Sequence, residues 1–107
     1  MPIINVTVDW PVGQAAASVS QNPIVVPKAN GATVIKWTNG DNVTTFAISG
    51  LDGSQFNPVA SNGQGTSFTT NDANSNSVTT TFSYNVVAVQ TSSGRTHSHD
   101  PQVQNDA

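Results

Sequence analysis

The fold is decided by the stretch Val78-Thr79-Thr80-Thr81-Phe82-Ser83-Tyr84-Asn85-Val86-Val87-Ala88-Val89. Large apolar and β-branched residues recur at every second position, and polar residues fill the positions between them until Val87. One face of the stretch carries Val78, Thr80, Phe82, Tyr84, Val86 and Ala88. A period of two over this length predicts a half-buried β-strand whose C-terminal part is covered on both sides.

Composition extends this prediction to the whole chain. Thr, Ser, Asn, Val and Gly dominate, Leu51 is the only leucine and glutamate is absent, so long helices are not expected. Further strands are predicted at residues 3–8, 17–26 (interrupted at Asn22-Pro23), 33–38 and 44–49. Segment 60–77 is predicted to be a long excursion with one short strand at 66–70.

Turn residues separate the predicted strands. Asn39-Gly40 supplies the best candidate for a hairpin, because both residues tolerate a positive φ. We therefore predict an all-β fold for residues 1–107: a single antiparallel β-sandwich domain, Ig-like in size and Greek-key in topology, with the C-terminal segment as its final strand. Trp10 and Trp37 are expected to be core anchors.

Charge and cysteine content exclude several classes of function. Three basic residues against six acidic ones give a net charge of −3, too little positive charge for a nucleic-acid binder. The absence of cysteine excludes disulfides and thiolate chemistry. No stretch approaches the ~20 apolar residues of a membrane span, and the N-terminus lacks a signal-peptide pattern, so a cytoplasmic protein without membrane contact is expected.

Chemistry is concentrated in the segment from His97 to Pro101. If it is extended, His97 and His99 project from one face, whereas Ser98 and Asp100 project from the other. The Asp100-Pro101 amide is tertiary, with no N–H and a reduced trans preference. The Asp100 carboxylate could attack its own carbonyl or activate water there, and a histidine titrates in the right range to protonate the departing nitrogen.

The same segment resembles the DP-EP family of small bacterial proteins that self-cleave at an Asp-Pro bond. The likeness rests on Phe82-Ser83-Tyr84-Asn85-Val86 and on His99-Asp100-Pro101-Gln102-Val103-Gln104-Asn105. It implies a β-sandwich, autocatalytic cleavage at Asp100-Pro101 and retention of the C-terminal peptide as a strand. Asp100 would supply the scissile carbonyl and the reactive carboxylate, and Pro101 the leaving nitrogen.

Two departures from the family narrow this expectation. Gln102 and Gln104 stand where the resemblance implies acidic residues, and stretch 78–89 contains no lysine that could capture an activated Asp100. We therefore expect either cleavage by water or no cleavage, and no crosslink from that strand. Lys28 or Lys36 could serve instead only if the fold brought one to Asp100.

Other functions remain open. His97 and His99 could hold a metal from one side of a strand, but no third ligand converges in the sequence, so neither a metal nor another cofactor is predicted. No motif of a hydrolase for external substrates is present. The main alternative is a non-catalytic structural, assembly or interaction module. The Thr- and Ser-rich face of the long strand and the loop 60–77 both suit strand addition or self-association at a sheet edge. A second copy of the chain is the partner considered, and the sequence identifies no external partner.

Overall fold

The computed structural model describes residues 1–107, which form eleven β-strands and one 3₁₀ turn at Lys28–Asn30. The strands are β1 Ile3–Asp9, β2 Ser18–Val19, β3 Ile24–Val26, β4 Thr33–Asn39, β5 Val43–Ser49, β6 Phe56–Asn57, β7 Ser67–Asp72, β8 Thr80–Ser83, β9 Asn85–Gln90, β10 Thr96–His99 and β11 Gln102–Asn105. The all-β prediction is confirmed. No helix in the structure has the length and apolarity that crossing a membrane requires.

The largest sheet has five strands in the order β2-β1-β4-β7-β6. Its centre is a parallel pair, in which Ile3 lies beside Val34 and Val8 beside Asn39. A wholly antiparallel fold was therefore the wrong prediction. The chain leaves β1 through β2, contributes β3 to a different sheet, and returns as β4 in the direction of β1.

The remaining strands are organised around one long hairpin. β9 lies between β5 and β10, while β11 lies between β8 and β3 and runs parallel to β3. A single register runs along the hairpin, from Val89 opposite Thr96 to Thr80 opposite Asn105. The predicted strand 78–89 is thus interrupted once, at Tyr84, and the predicted final strand in the C-terminal segment is interrupted once, at Asp100-Pro101.

Two local predictions differ from the structure. The Asn39-Gly40 turn does not close a hairpin, because β4 and β5 belong to different sheets. The short strand expected at 66–70 is longer, and as β7 it pairs with β4 on one side and with β6 on the other. Segment 60–77 therefore contributes an inner strand.

One hydrophobic cluster connects the sheets. It contains 18 buried residues drawn from strands of every sheet. Trp10 and Trp37 are 2% and 0% exposed, which confirms both as core anchors. Trp37 on β4 donates its indole N–H to the Tyr84 hydroxyl at 3.1 Å, a buried hydrogen bond between the five-stranded sheet and the hairpin.

Candidate functional site

The Asp100-Pro101 bond lies where the hairpin ladder is interrupted, between β10 and β11. The continuous register places Pro101 opposite Tyr84, and the Tyr84 N–H donates to the Pro101 carbonyl at 3.0 Å. An antiparallel pair of this kind normally exchanges two hydrogen bonds, but proline has no N–H for the second. The nitrogen of the Asp100-Pro101 amide therefore makes no hydrogen bond in the ladder, whereas the Pro101 carbonyl does.

Asn85 fixes the side chain of Asp100. It is the residue opposite Asp100, and its Nδ2 donates both to Asp100 Oδ1 at 2.8 Å and to Ser98 Oγ at 2.7 Å. The predicted common face of Ser98 and Asp100 is thereby confirmed. Asp100 is exposed, whereas Pro101 is buried, so the carboxylate meets water at the edge of the packed core. The sequence prediction had not given Asn85 a role, although the register of the two strands determines it.

The histidines lie on the other face of β10. His97 is half-buried against Trp10, with ring centroids 5.6 Å apart, and its Nδ1 accepts from the Ala17 N–H at 3.4 Å. The His99 ring is 6.5 Å from that of His97. This placement matches the predicted common face of the two histidines. It also separates both imidazoles from the Asp100 carboxylate by the thickness of the strand.

The residues after the bond are anchored on both sides. Gln102 N–H donates to Asn22 Oδ1 at 3.0 Å, and Val103 is 0% exposed. Asp106 N–H donates to the Val26 carbonyl at 3.0 Å, and Ala107 N–H to Thr79 Oγ1 at 3.1 Å. Residues 101–107 therefore hold to the rest of the chain through ladders and side chains as well as through the peptide bond.

Neither lysine named in the sequence prediction is hydrogen-bonded to Asp100. Lys28 Nζ donates to the main-chain carbonyls of Asn74 and Asn76, and Lys36 is exposed on β4 in the five-stranded sheet. The condition for a crosslink to Asp100 is thus not met by the observed contacts.

A second polar group surrounds Asp72, which the sequence prediction did not include among the site residues. The structure buries Asp72 completely, with Oδ1 accepting from Asn105 Nδ2 at 2.8 Å and from the Asn74 N–H at 2.9 Å. Burial raises the pKa of Asp72 above its ordinary value, and the two hydrogen bonds oppose that rise. The alternation Asp72-x-Asn74-x-Asn76 is the sequence signal from which this group could have been found.

Comparison with known proteins adds no assignment to these two groups of residues. No family model matches this chain, and no curated protein matches it either.

Proposed function

We propose that this protein cleaves its own Asp100-Pro101 peptide bond, as the resemblance to the DP-EP family suggests. The observation that carries the proposal is the position of the bond. It is the point at which a continuous ladder lacks a hydrogen bond to the amide nitrogen, and the adjacent carboxylate is exposed to water and oriented by Asn85. The amide nitrogen is tertiary and takes part in no ladder hydrogen bond, and a held carboxylate loses less freedom on attack.

The reaction balances without any further reactant except water. An oxygen of the Asp100 carboxylate bonds to the Asp100 carbonyl carbon, the C–N bond breaks, and the Pro101 nitrogen takes up a proton and leaves as a secondary amine. Water then opens the cyclic anhydride and restores a free Asp100. Because the carboxylate and the histidines lie on opposite faces of β10, the proton comes either from solvent or from His99 across the strand.

The cut product stays assembled in this proposal. Val103 and Asn105 are fully buried, and β11 has a hydrogen-bonded neighbour on each side. Peptide 101–107 would remain as a strand after cleavage, so the fold would survive the reaction. A size measurement under native conditions would not reveal the cut, and a denaturing one is required.

The fold that we propose for this activity is a two-layer Ig-like sandwich with Greek-key connections. The five-stranded sheet would form one layer, and the hairpin with β3 and β5 the other. Support comes from the shared core and from the Trp37–Tyr84 hydrogen bond between the two groups of strands.

Denaturing mass spectrometry tests the proposal. Purified protein, sampled over days at neutral and mildly acidic pH, should yield fragments 1–100 and 101–107 whose masses sum to the intact mass plus one water. Asp100→Asn should slow fragment formation by ~100-fold or more, because it removes the nucleophile. Asp41→Asn is the matched control: it changes the charge equally on an exposed residue and should cleave like wild type. An intact mass that never changes would sink the proposal.

Two further variants assign the supporting roles. Asn85→Ala should slow cleavage several-fold by releasing the carboxylate, whereas Ser98→Ala should not. His99→Ala should slow it by ~100-fold if the imidazole donates the proton, and by less than ~2-fold if solvent does. Equal rates for wild type and Asn85→Ala would contradict the assigned role of Asn85.

The non-catalytic alternative has one specific observation in its favour. β3 is the edge strand beside β11, and Val25 at its centre is 42% exposed between the fully buried Ile24 and Val26. An exposed apolar side chain on a short edge strand suits strand addition by a second copy. Light scattering should then show a dimer that Val25→Lys disperses, with no fragments in the denatured sample.

A further inference from the structure

A group of buried side-chain oxygens lies where β7 ends and β11 passes it. Asp72 and Asn105 are 0% exposed and Asn74 is 2% exposed, while Asn76 is half-buried beside them. Four oxygens in this group are shielded from solvent and accept no hydrogen bond: Asp72 Oδ2, Asn74 Oδ1, Asn76 Oδ1 and Asn105 Oδ1. Four such atoms in one neighbourhood require an explanation, because buried polar atoms are normally paired.

The orientation of the three amides is fixed by their nitrogen atoms. Each Nδ2 donates to a specific acceptor: Asn74 to Pro27 O and Gly31 O, Asn76 to Val78 O and Asn105 O, and Asn105 to Asp72 Oδ1. Flipping any amide would place its oxygen against another oxygen, so the hydrogen bonds fix which atom of each amide is the nitrogen and which the oxygen. The group thus presents acceptors without donors.

Acceptors without donors are the chemistry of a hard cation site. Calcium takes several carboxylate, amide and main-chain oxygens in flexible geometry, whereas magnesium demands a stricter octahedron and keeps its waters. The alternation Asp72-x-Asn74-x-Asn76 matches the first three ligand positions of a calcium loop. Ser77 replaces the glycine that such a loop needs next, so the segment is not an EF-hand, and Asn105 joins it from a distant strand.

We propose that Asp72, Asn74, Asn76 and Asn105 bind a calcium-class divalent cation. The local backbone supports this arrangement. Asn74 adopts a positive φ of 49°, and its N–H donates to Asp72 Oδ1, so the chain turns sharply around the carboxylate. Asp72 and Asn76 thereby contact Asn105 on β11, while Asn74 Nδ2 donates to the main-chain carbonyls of Pro27 and Gly31.

Lys28 limits the affinity of the site. Its ammonium donates to the carbonyl of Asn76 at 2.9 Å and to that of Asn74 at 3.3 Å, on the main chain of the same loop. The site therefore contains one carboxylate and has one fixed positive charge at its border. Calcium binds more weakly when fewer of its ligands carry a negative charge. A dissociation constant of about 0.1–1 mM is therefore expected, as in extracellular calcium modules.

Calorimetric titration of the chelator-stripped full chain with calcium chloride tests the site. We expect saturable binding of one ion, with magnesium at least ~10-fold weaker. Asp72→Asn should abolish binding, while the control Asp41→Asn, with the same charge change on an exposed residue, should leave it unchanged. Lys28→Met should tighten binding by about tenfold, because it removes the repulsion between the ammonium and the ion.

Amide NMR spectra locate the ion and keep the test valid should Asp72→Asn fail to fold. In the wild type, calcium should shift the amide signals of residues 72–77 and 105 more than all others. Absence of saturable heat up to about 10 mM calcium in both wild type and Lys28→Met would overturn the proposal. Shifts spread evenly over the surface acids, or equal binding by Asp72→Asn and Asp41→Asn, would overturn it as well.

Discussion

Removing the Tyr84 hydroxyl should lower the free energy of unfolding, because the hydroxyl is the acceptor of a buried hydrogen bond from Trp37. In Tyr84→Phe the ring remains packed against Trp37, at a centroid separation of 5.4 Å and an interplanar angle of 64°. The Trp37 indole N–H, at a residue that is 0% exposed, loses its acceptor. A buried donor without a partner costs ~1–3 kcal/mol. The free energy of unfolding should therefore fall by about 2 kcal/mol, and the melting temperature by about 10 °C for a domain of this size.

A double-mutant cycle isolates the hydrogen bond from the packing. Urea unfolding of wild type, Tyr84→Phe, Trp37→Phe and the double variant should give a coupling free energy of ~1–2 kcal/mol between the two positions. A loss below ~0.5 kcal/mol in Tyr84→Phe, within the range of ordinary surface substitutions, would refute the reasoning. It would mean that the two groups of strands are not joined by this bond.

High pH provides an independent check on the same side chain. Burial raises the pKa of Tyr84 to about 12 from 10.0, and the hydrogen bond from Trp37 opposes that rise. The folded state therefore favours the neutral phenol. Its contribution to stability is complete below pH 10 and is lost as the pH rises through about 12. Tyr84→Phe should lose less stability than wild type across that window, and parallel curves would contradict the assignment.

Three other perturbations have definite expected outcomes. Gly40→Ala places a Cβ 2.7 Å from Asp9 Oδ1 and should lower the urea-derived free energy of unfolding by ~1–3 kcal/mol; an unchanged midpoint would argue against the observed turn. In calcium-free buffer the raised pKa of Asp72 stabilises the fold below pH 3.8, and that contribution is lost as the pH rises through the higher folded value. Wild type should therefore lose thermal stability relative to Asp72→Asn as the pH rises above 3.8, and a stability difference that does not change with pH would contradict the burial of this carboxyl. Val103→Ala removes two carbons from a fully buried site and should cost about 2–3 kcal/mol in urea unfolding, whereas a loss under ~1 kcal/mol would mean that β11 is not packed as described.

Local patterns were sufficient to predict the strands but not their partners. Alternation between Phe82 and Ala88 reports which side of a strand is buried, so the strand class could be predicted. Both tryptophan anchors could be predicted because large aromatic side chains are usually buried. Direction is not local information. The parallel pairing of β1 with β4 depends on where residues 17–26 cross to another sheet, and nothing in the periodicity records that crossing.

In the candidate site, too, local pattern predicts which side chains share a face but not which residues of other strands they contact. The common face of Ser98 and Asp100 follows from a period of two, and the structure confirms it. Asn85 acts on Asp100 through the register of two strands, which a single segment does not reveal. Asp72 lies in segment 60–77, which is rich in Asn, Ser, Gly and Thr and was predicted to be a long excursion. Only the tertiary packing of Asn105 against it converts a polar loop into a buried cluster.

The central position of β11 also bears on how the chain is made. β3 and β8 leave the ribosome well before residues 102–105, yet the strand that joins them is β11. Until β11 emerges, β3 and β8 both expose unpaired main-chain groups. Their apolar side chains, such as Ile24 and Phe82, also lack their neighbour Val103. Nascent chains stalled at this stage should be prone to edge-to-edge association and should depend on chaperones. Synthesis of the segment that begins at Pro101 is thus the step that commits this sheet to its native partner.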